Sequence, residues 1–260
     1  MNKKTIKLGD LTISRLLGGC NPVSGFSHQD KERDNEMLNY FTLENIKGYF
    51  RECEKNGIDT ICARTDAFIL RVFREYWNEG GTVKWVAQAT SETNDITRGI
   101  DMAYHNGASA VYINGNETIR LFEAGEEKEL FKSVEYGKKL GLPTGAAAHN
   151  PEHHLWMQNE GLDVDFHLLC LYNAKYSSAV RAEIDKAFIE AHRGIALSAA
   201  SELKKPCIFF KILGAGRKTL EDGLADIKQV VQPKDGFLIG MYLKDDPNMV
   251  RKNAEAIYSI

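Results

Sequence analysis

Residues 43–64 read LENIKGYFRECEKNGIDTICAR, and three patterns succeed one another along them. Ile46, Tyr49, Phe50 and Cys53 fall on one helical stripe, behind Thr42 as an N-cap. Asn56-Gly57 follows, and glycine is the residue expected just past a helix end, where the chain turns left-handed. The run from Asp59 to Arg64 is short, apolar and largely non-alternating, as a strand covered on both faces should be. The same order of helix, glycine and strand returns around Asn106-Gly107, Leu140-Gly141 and Glu160-Gly161.

Extended outward, this rhythm predicts strands at 13–19, 59–64, 84–90, 109–114, 143–149, 165–172, 207–212 and 236–241. Eight strands alternating with helices over 260 residues predict an α/β fold, a (β/α)8 TIM barrel. An open doubly wound sheet would carry a glycine-rich phosphate turn after its first strand. Gly18-Gly19-Cys20-Asn21-Pro22 is not such a turn. No linker, repeat or low-complexity segment divides residues 1–260, so one barrel domain is expected. Two connections are long: residues 20–41, and the stretch after Tyr172 that leads into a helix at 180–203. Both belong to the rim where substrate lids form, although the charged run Asp30 to Asp34 reads as a solvated surface insertion. Asp246-Pro247 reads as the N-cap and first position of a final helix ending near Ile257.

The composition, 43% hydrophobic and 27% charged, is that of a globular chain. A net charge of -3 with scattered basic residues gives no footprint for nucleic acid or a membrane surface. The N-terminus lacks the apolar core of a secretory signal. Five widely spaced cysteines without a CxxC pair suit reduced thiols, so a cytoplasmic protein is expected.

Ile6-Lys7-Leu8-Gly9-Asp10-Leu11-Thr12-Ile13-Ser14-Arg15-Leu16, Gly57-Ile58-Asp59-Thr60, Leu213-Gly214-Ala215-Gly216 and the stretch from Ile239-Gly240 to Asn253 together resemble the aldo-keto reductase superfamily. The resemblance implies an N-terminal hairpin before the barrel and NAD(P)-linked carbonyl reduction by a tetrad of Asp, Tyr, Lys and His. Asp59 stands in place of the Asp, but Arg64, Gln88-Ala89-Thr90 and Asn114 stand where Tyr, Lys and His belong. Arg does not donate a proton near neutral pH, and Gln and Asn carry no charge to activate a donor. On the cofactor side Asn253 matches an adenine-binding position, whereas Met249, Lys252, Ala147 and Ala148 replace the expected ligands. Ordinary aldo-keto reduction is therefore not expected, and NAD(P) is disfavoured.

Other chemistry is suggested by Ala146-Ala147-Ala148-His149-Asn150-Pro151-Glu152-His153-His154, where small residues leave room above the core and His149 ends a strand. His149, His167 and His153, with a carboxylate, form a set that a divalent metal would accept, although each also reads as a bonded or exposed histidine. Lys211 near the end of an apolar strand needs either an acidic partner or a wet mouth. Tyr172 reads as a proton donor or as packing, and Arg217 and Lys244 lie in the region where many barrels bind phosphate. Arg64 suits a carboxylate or a polar substrate, with Asn21, Gln88, Asn114 and Asn116 as neutral rim donors. The expected function is acid–base chemistry of lyase or isomerase type on a small, sugar-like metabolite of carbohydrate metabolism. His149, Arg64, Lys211 and Tyr172 would be catalytic, with Asn21, Gln88, Asn114 and Arg217 binding substrate. A divergent NAD(P)-linked oxidoreductase and a non-catalytic binding barrel are the alternatives.

Overall fold

The computed structural model describes residues 3–89, 95–173 and 184–260. A two-stranded antiparallel hairpin, β1 (Thr5–Leu8) and β2 (Leu11–Ser14), comes first. The barrel strands are β3 (Leu16–Gly19), β4 (Thr60–Arg64), β5 (Lys84–Ala89), β6 (Ala110–Ile113), β7 (Thr144–Ala148), β8 (Phe166–Cys170), β9 (Cys207–Phe210) and β10 (Gly236–Gly240). They run parallel in chain order, and β10 closes on β3 through Gly240 opposite Gly19. The fold is a closed (β/α)8 barrel.

The helices are α1 (Lys31–Tyr40), α2 (Leu43–Lys55), α3 (Ala67–Asn78), α4 (Ile96–His105), α5 (Gly115–Ala124), α6 (Lys128–Lys139), α7 (Pro151–Asn159), α8 (Ala191–Glu202), α9 (Leu220–Ala225) and α10 (Met249–Ser259). The predicted stripe of α2 is buried, Phe50 completely, which contributes roughly 1.5–3 kcal/mol for that side chain. Thr42 caps α2 by accepting from the Asn45 N–H. Gly57, Gly107, Gly141 and Gly161 all have positive φ, between +76° and +88°, so the punctuation read from the sequence is a repeated left-handed helix exit. Among the described residues no helix is long and apolar enough to cross a membrane.

The hairpin plugs the N-terminal end of the barrel. Ile6, Leu8 and Ile13 join Leu17, Val86, Ala110, Phe166 and Ile208 in the inner core. This divides the first predicted strand, 13–19, in two. The break falls at buried Arg15, whose guanidinium donates to the carbonyls of Asp235, Gln232 and Ile260 and so turns the chain from plug to wall. Two helix boundaries also differ. The final helix is capped at Asn248, because Asp246 instead accepts from the Asn248 N–H one turn earlier. The helix predicted at 180–203 starts at Ala191 within the described residues, and its positions 180–183, like Thr90, lie outside them. The charged run Asp30 to Asp34 lies at the surface, with Lys31 and Glu32 exposed, and is also tied down. Asp30 caps α1, and Arg33 pairs with Glu36 and with Asp245 on the loop after β10.

Candidate active site

The C-terminal ends of the strands surround a cavity of about 440 Å³. Its floor is Cys62, Tyr112, Ala147 and Leu168, with the Cys62 thiol 3.4 Å from the Tyr112 hydroxyl. The small side chains of β7 keep this space open, as expected from the alanine run. Part of its wall comes from the long first connection, residues 20–41, which supplies Asn21, His28, Gln29 and Arg33.

His149 follows β7 directly and lines the cavity. Its ring meets Phe210 edge-on, with centroids 5.9 Å apart, and packs against the start of α5. A Cβ on Gly115 would sit 3.3 Å from His149 Cε1 and 3.4 Å from Nδ1, so the absence of a side chain there makes room for the ring. His149 Nδ1 is buried with no hydrogen-bond partner. Burial first, and then the charge of Lys211, push the pKa of His149 down to about 3. The positive end of the α5 dipole acts in the same direction. His149 is therefore a neutral imidazole at physiological pH.

Lys211 lies just past β9 with φ 58°, in the left-handed region that side chains other than glycine seldom adopt. It lines the cavity, and its Nζ lies 5.9 Å from the centroid of the Phe188 ring. Burial lowers its pKa, and the nearby Arg217 charge adds to that effect. His28, also left-handed at φ 55°, places Nε2 3.3 Å from Asn21 Nδ2. Its pKa falls to about 3, by burial first and then by the charges of Lys211, His149 and Arg217. His28, His149 and Lys211 thus share one small volume. His28 had no periodic signal to mark it. A histidine between Ser27 and Gln29 in an over-long rim loop was the only clue.

The polar rim assembles largely as expected. Arg64 and Gln88 are register partners on β4 and β5, and both line the cavity with Asn21, Asn114 and Asn116. Arg64 Nε lies 3.4 Å from Asp66, and its guanidinium lies over Phe26. Asn114 also caps α5, its side chain accepting from the Asn116 N–H. Of the cations in the lining, Arg33 is paired with Glu36 and Asp245, and Arg64 lies beside Asp66.

Other expected residues are elsewhere. Tyr172 is 1% exposed and outside the cavity lining, its hydroxyl held by Glu190 at 3.2 Å and Arg193 at 3.5 Å. Arg217 is engaged by Asp185, Gly214 O and His28 O, so it braces the wall and does not line it. Lys244 pairs with Glu36. Asp59 lies at the opposite end of the barrel, bonded to Ser14, Lys3 and Lys84, so the one matched tetrad position is structural. Asn253, the one residue matched to a dinucleotide ligand, is 3% exposed and lies outside the cavity lining.

The expected metal set is not brought together. His167 faces out of the barrel and meets His154, not His149. His153 stacks on Phe122 with centroids 4.0 Å apart and lies outside the cavity lining. Among the described residues no group of three or more His, Cys, Asp or Glu side chains is placed to hold a metal ion.

No family model matches the chain, and no curated protein matches it. Among solved structures it is similar to Gox0644 in its apo form, at 11% identity over 100% of this chain and 89% of that one, TM-score 0.63. It is similar to the holo form of an aldo-keto reductase from Bacillus halodurans, at 11% identity over 98% and 91%, TM-score 0.57. A truncated 3-deoxy-D-arabino-heptulosonate 7-phosphate synthase from Thermotoga maritima matches at 13% identity over 99% and 90%, TM-score 0.55. At these identities the likeness is one of fold, and aldo-keto reductases stand in it beside other TIM-barrel enzymes.

Proposed function

We propose that the cavity is the active site of an enzyme acting on a small, sugar-like, negatively charged metabolite by acid–base chemistry of lyase or isomerase type. The observation that carries this reading is the neutral His149 beside Lys211 in a cavity rimmed by Arg64, Asn21, Gln88 and Asn114. A neutral imidazole donates a hydrogen bond to a substrate oxygen without first losing a proton, and so polarises a carbonyl group. Negative charge that develops on that oxygen falls within the field of Lys211. Arg64 is placed to hold the anionic group, and Asn21, Gln88 and Asn114 to hold hydroxyl groups. Tyr172 has no part in this scheme, because its hydroxyl lies outside the cavity.

The test is a screen of aldoses, ketoses and sugar acids in deuterated water, reading proton exchange and turnover by NMR. His149→Ala should fold normally and lower kcat/KM by about 10²-fold or more. Full activity in that variant on the substrate found would overturn the assignment.

A further inference from the structure

The inner face of β9 is set by Ile208 and Phe210, which pack with the inner core, while Cys207 and Phe209 pack with the outer layer. Alternation along the strand would send residue 211 outward, between barrel and helices. Lys211 lines the cavity instead. The left-handed backbone at this residue, φ 58°, breaks the strand at the point where the side chain must change sides. A non-glycine residue held there costs of order 1–3 kcal/mol, a strain found where function fixes a side chain's direction. Phe210 and the Phe188 ring stand beside it, and burial there favours an uncharged amine over an ammonium. Two histidines held neutral, His149 and His28, stand beside it.

We propose that Lys211 is a nucleophile whose Nζ condenses with the carbonyl carbon of an aldehyde or ketone substrate to form a Schiff base. This deepens the reading above and rests on the cavity being an active site. The uncharged Nζ attacks the carbonyl carbon with its lone pair. The π pair moves to oxygen, and the nitrogen gives up one proton as the oxygen takes one, which gives the carbinolamine. The nitrogen lone pair then expels the hydroxyl, which leaves as water with a proton from solvent while the neutral His149 ring lies beside it. Amine, carbonyl and one proton thus become iminium plus water, with charge and atoms conserved. The iminium then accepts the electron pair of a bond at the neighbouring carbon: C–H, its proton passing to water, in an isomerisation, or C–C in an aldol cleavage that releases an aldehyde as the adjoining hydroxyl gives its proton to water. Reprotonation of the enamine carbon and addition of water to C=N release the product and restore the Lys211 amine. The anionic group of the substrate lies toward Arg64.

Acetylacetone tests this without the natural substrate, because an uncharged amine condenses with it to an enaminone that absorbs in the near ultraviolet, losing one water. At neutral pH the intact protein should take up one equivalent at Lys211, located by peptide mass mapping. The rate should exceed that of the exposed lysines by about tenfold. Lys211→Arg should remove the fast phase, as should Lys211→Asn, which suits the left-handed backbone and guards against misfolding. Labelling confined to other lysines, labelling of Lys211 no faster than theirs, or no labelling overturns the proposal. If labelling fails while His149→Ala is inactive, the Schiff base falls and the acid–base reading stands. Fast labelling with a fully active His149→Ala does the reverse.

Discussion

His154 on α7 and His167 on β8 place their Nδ1 atoms 3.1 Å apart, with ring planes at 90°. Both side chains are buried, at 0% and 1% exposure. One Nδ1–H must point at the lone pair of the other, so the contact requires that the two rings are not both charged. Burial lowers both pKa values. His167 falls to about 4, with Lys234 and Lys205 adding to the effect, and His154 falls well below the ordinary value, with His167 adding to it.

This pair makes the fold sensitive to acid. Unfolded histidines take up protons below about pH 6.5, whereas folded His167 does so only near pH 4. The unfolded state therefore binds more protons in that window, and stability falls as pH drops through it. Above the window the contribution is complete. Integrated over the window, His167 alone accounts for a loss on the order of 3 kcal/mol. Urea unfolding midpoints taken from neutral pH down to about pH 4.5 should fall steadily. A flat profile would contradict this assignment.

His167→Leu alone leaves the His154 Nδ1 buried and unbonded, at a cost of about 1–3 kcal/mol. The double change His154→Leu with His167→Leu should recover much of that loss. A double-mutant cycle at neutral pH measures the coupling, and strictly additive losses would show that the contact contributes nothing.

Gly115→Ala places a methyl group against the His149 ring while giving α5 a better helix former at its first position. Turnover should fall by about tenfold, since the ring must give way slightly and a displacement of 1 Å costs about 10²-fold in a positioned site. The melting temperature should move little. Unfolding that accompanies the loss of activity would count against a positioning role.

Asp59→Asn should do the opposite. Burial alone would raise the Asp59 pKa, but bonds from Lys3, Lys84, Thr60 and the Ser14 N–H outweigh it and hold the carboxyl well below its usual range. The stabilisation is present above the ordinary carboxylate range and is lost as pH falls through it. The amide should cost about 1–3 kcal/mol in unfolding experiments, with kcat and KM of the folded protein unchanged.

The barrel was legible because its signals are local. A helix stripe, a left-handed exit and a buried strand each repeat within a few residues, and all eight barrel strands lie where periodicity puts them. The rim positions of Arg64, Gln88, Asn114 and His149 follow from the same register, since a parallel barrel brings every strand end to one mouth. Side-chain direction beyond the strands did not follow. His167 and Tyr172 sit on or just past a strand, yet one faces a helix histidine and the other a buried arginine. Lys211 reaches the cavity only through a backbone angle that no residue pattern announces, and His28 through a loop folded over the mouth. Periodicity reports which face of a regular element is apolar. Which polar group meets which across the barrel depends on loop closure and on packing between segments remote in sequence, and these exist only in the folded chain.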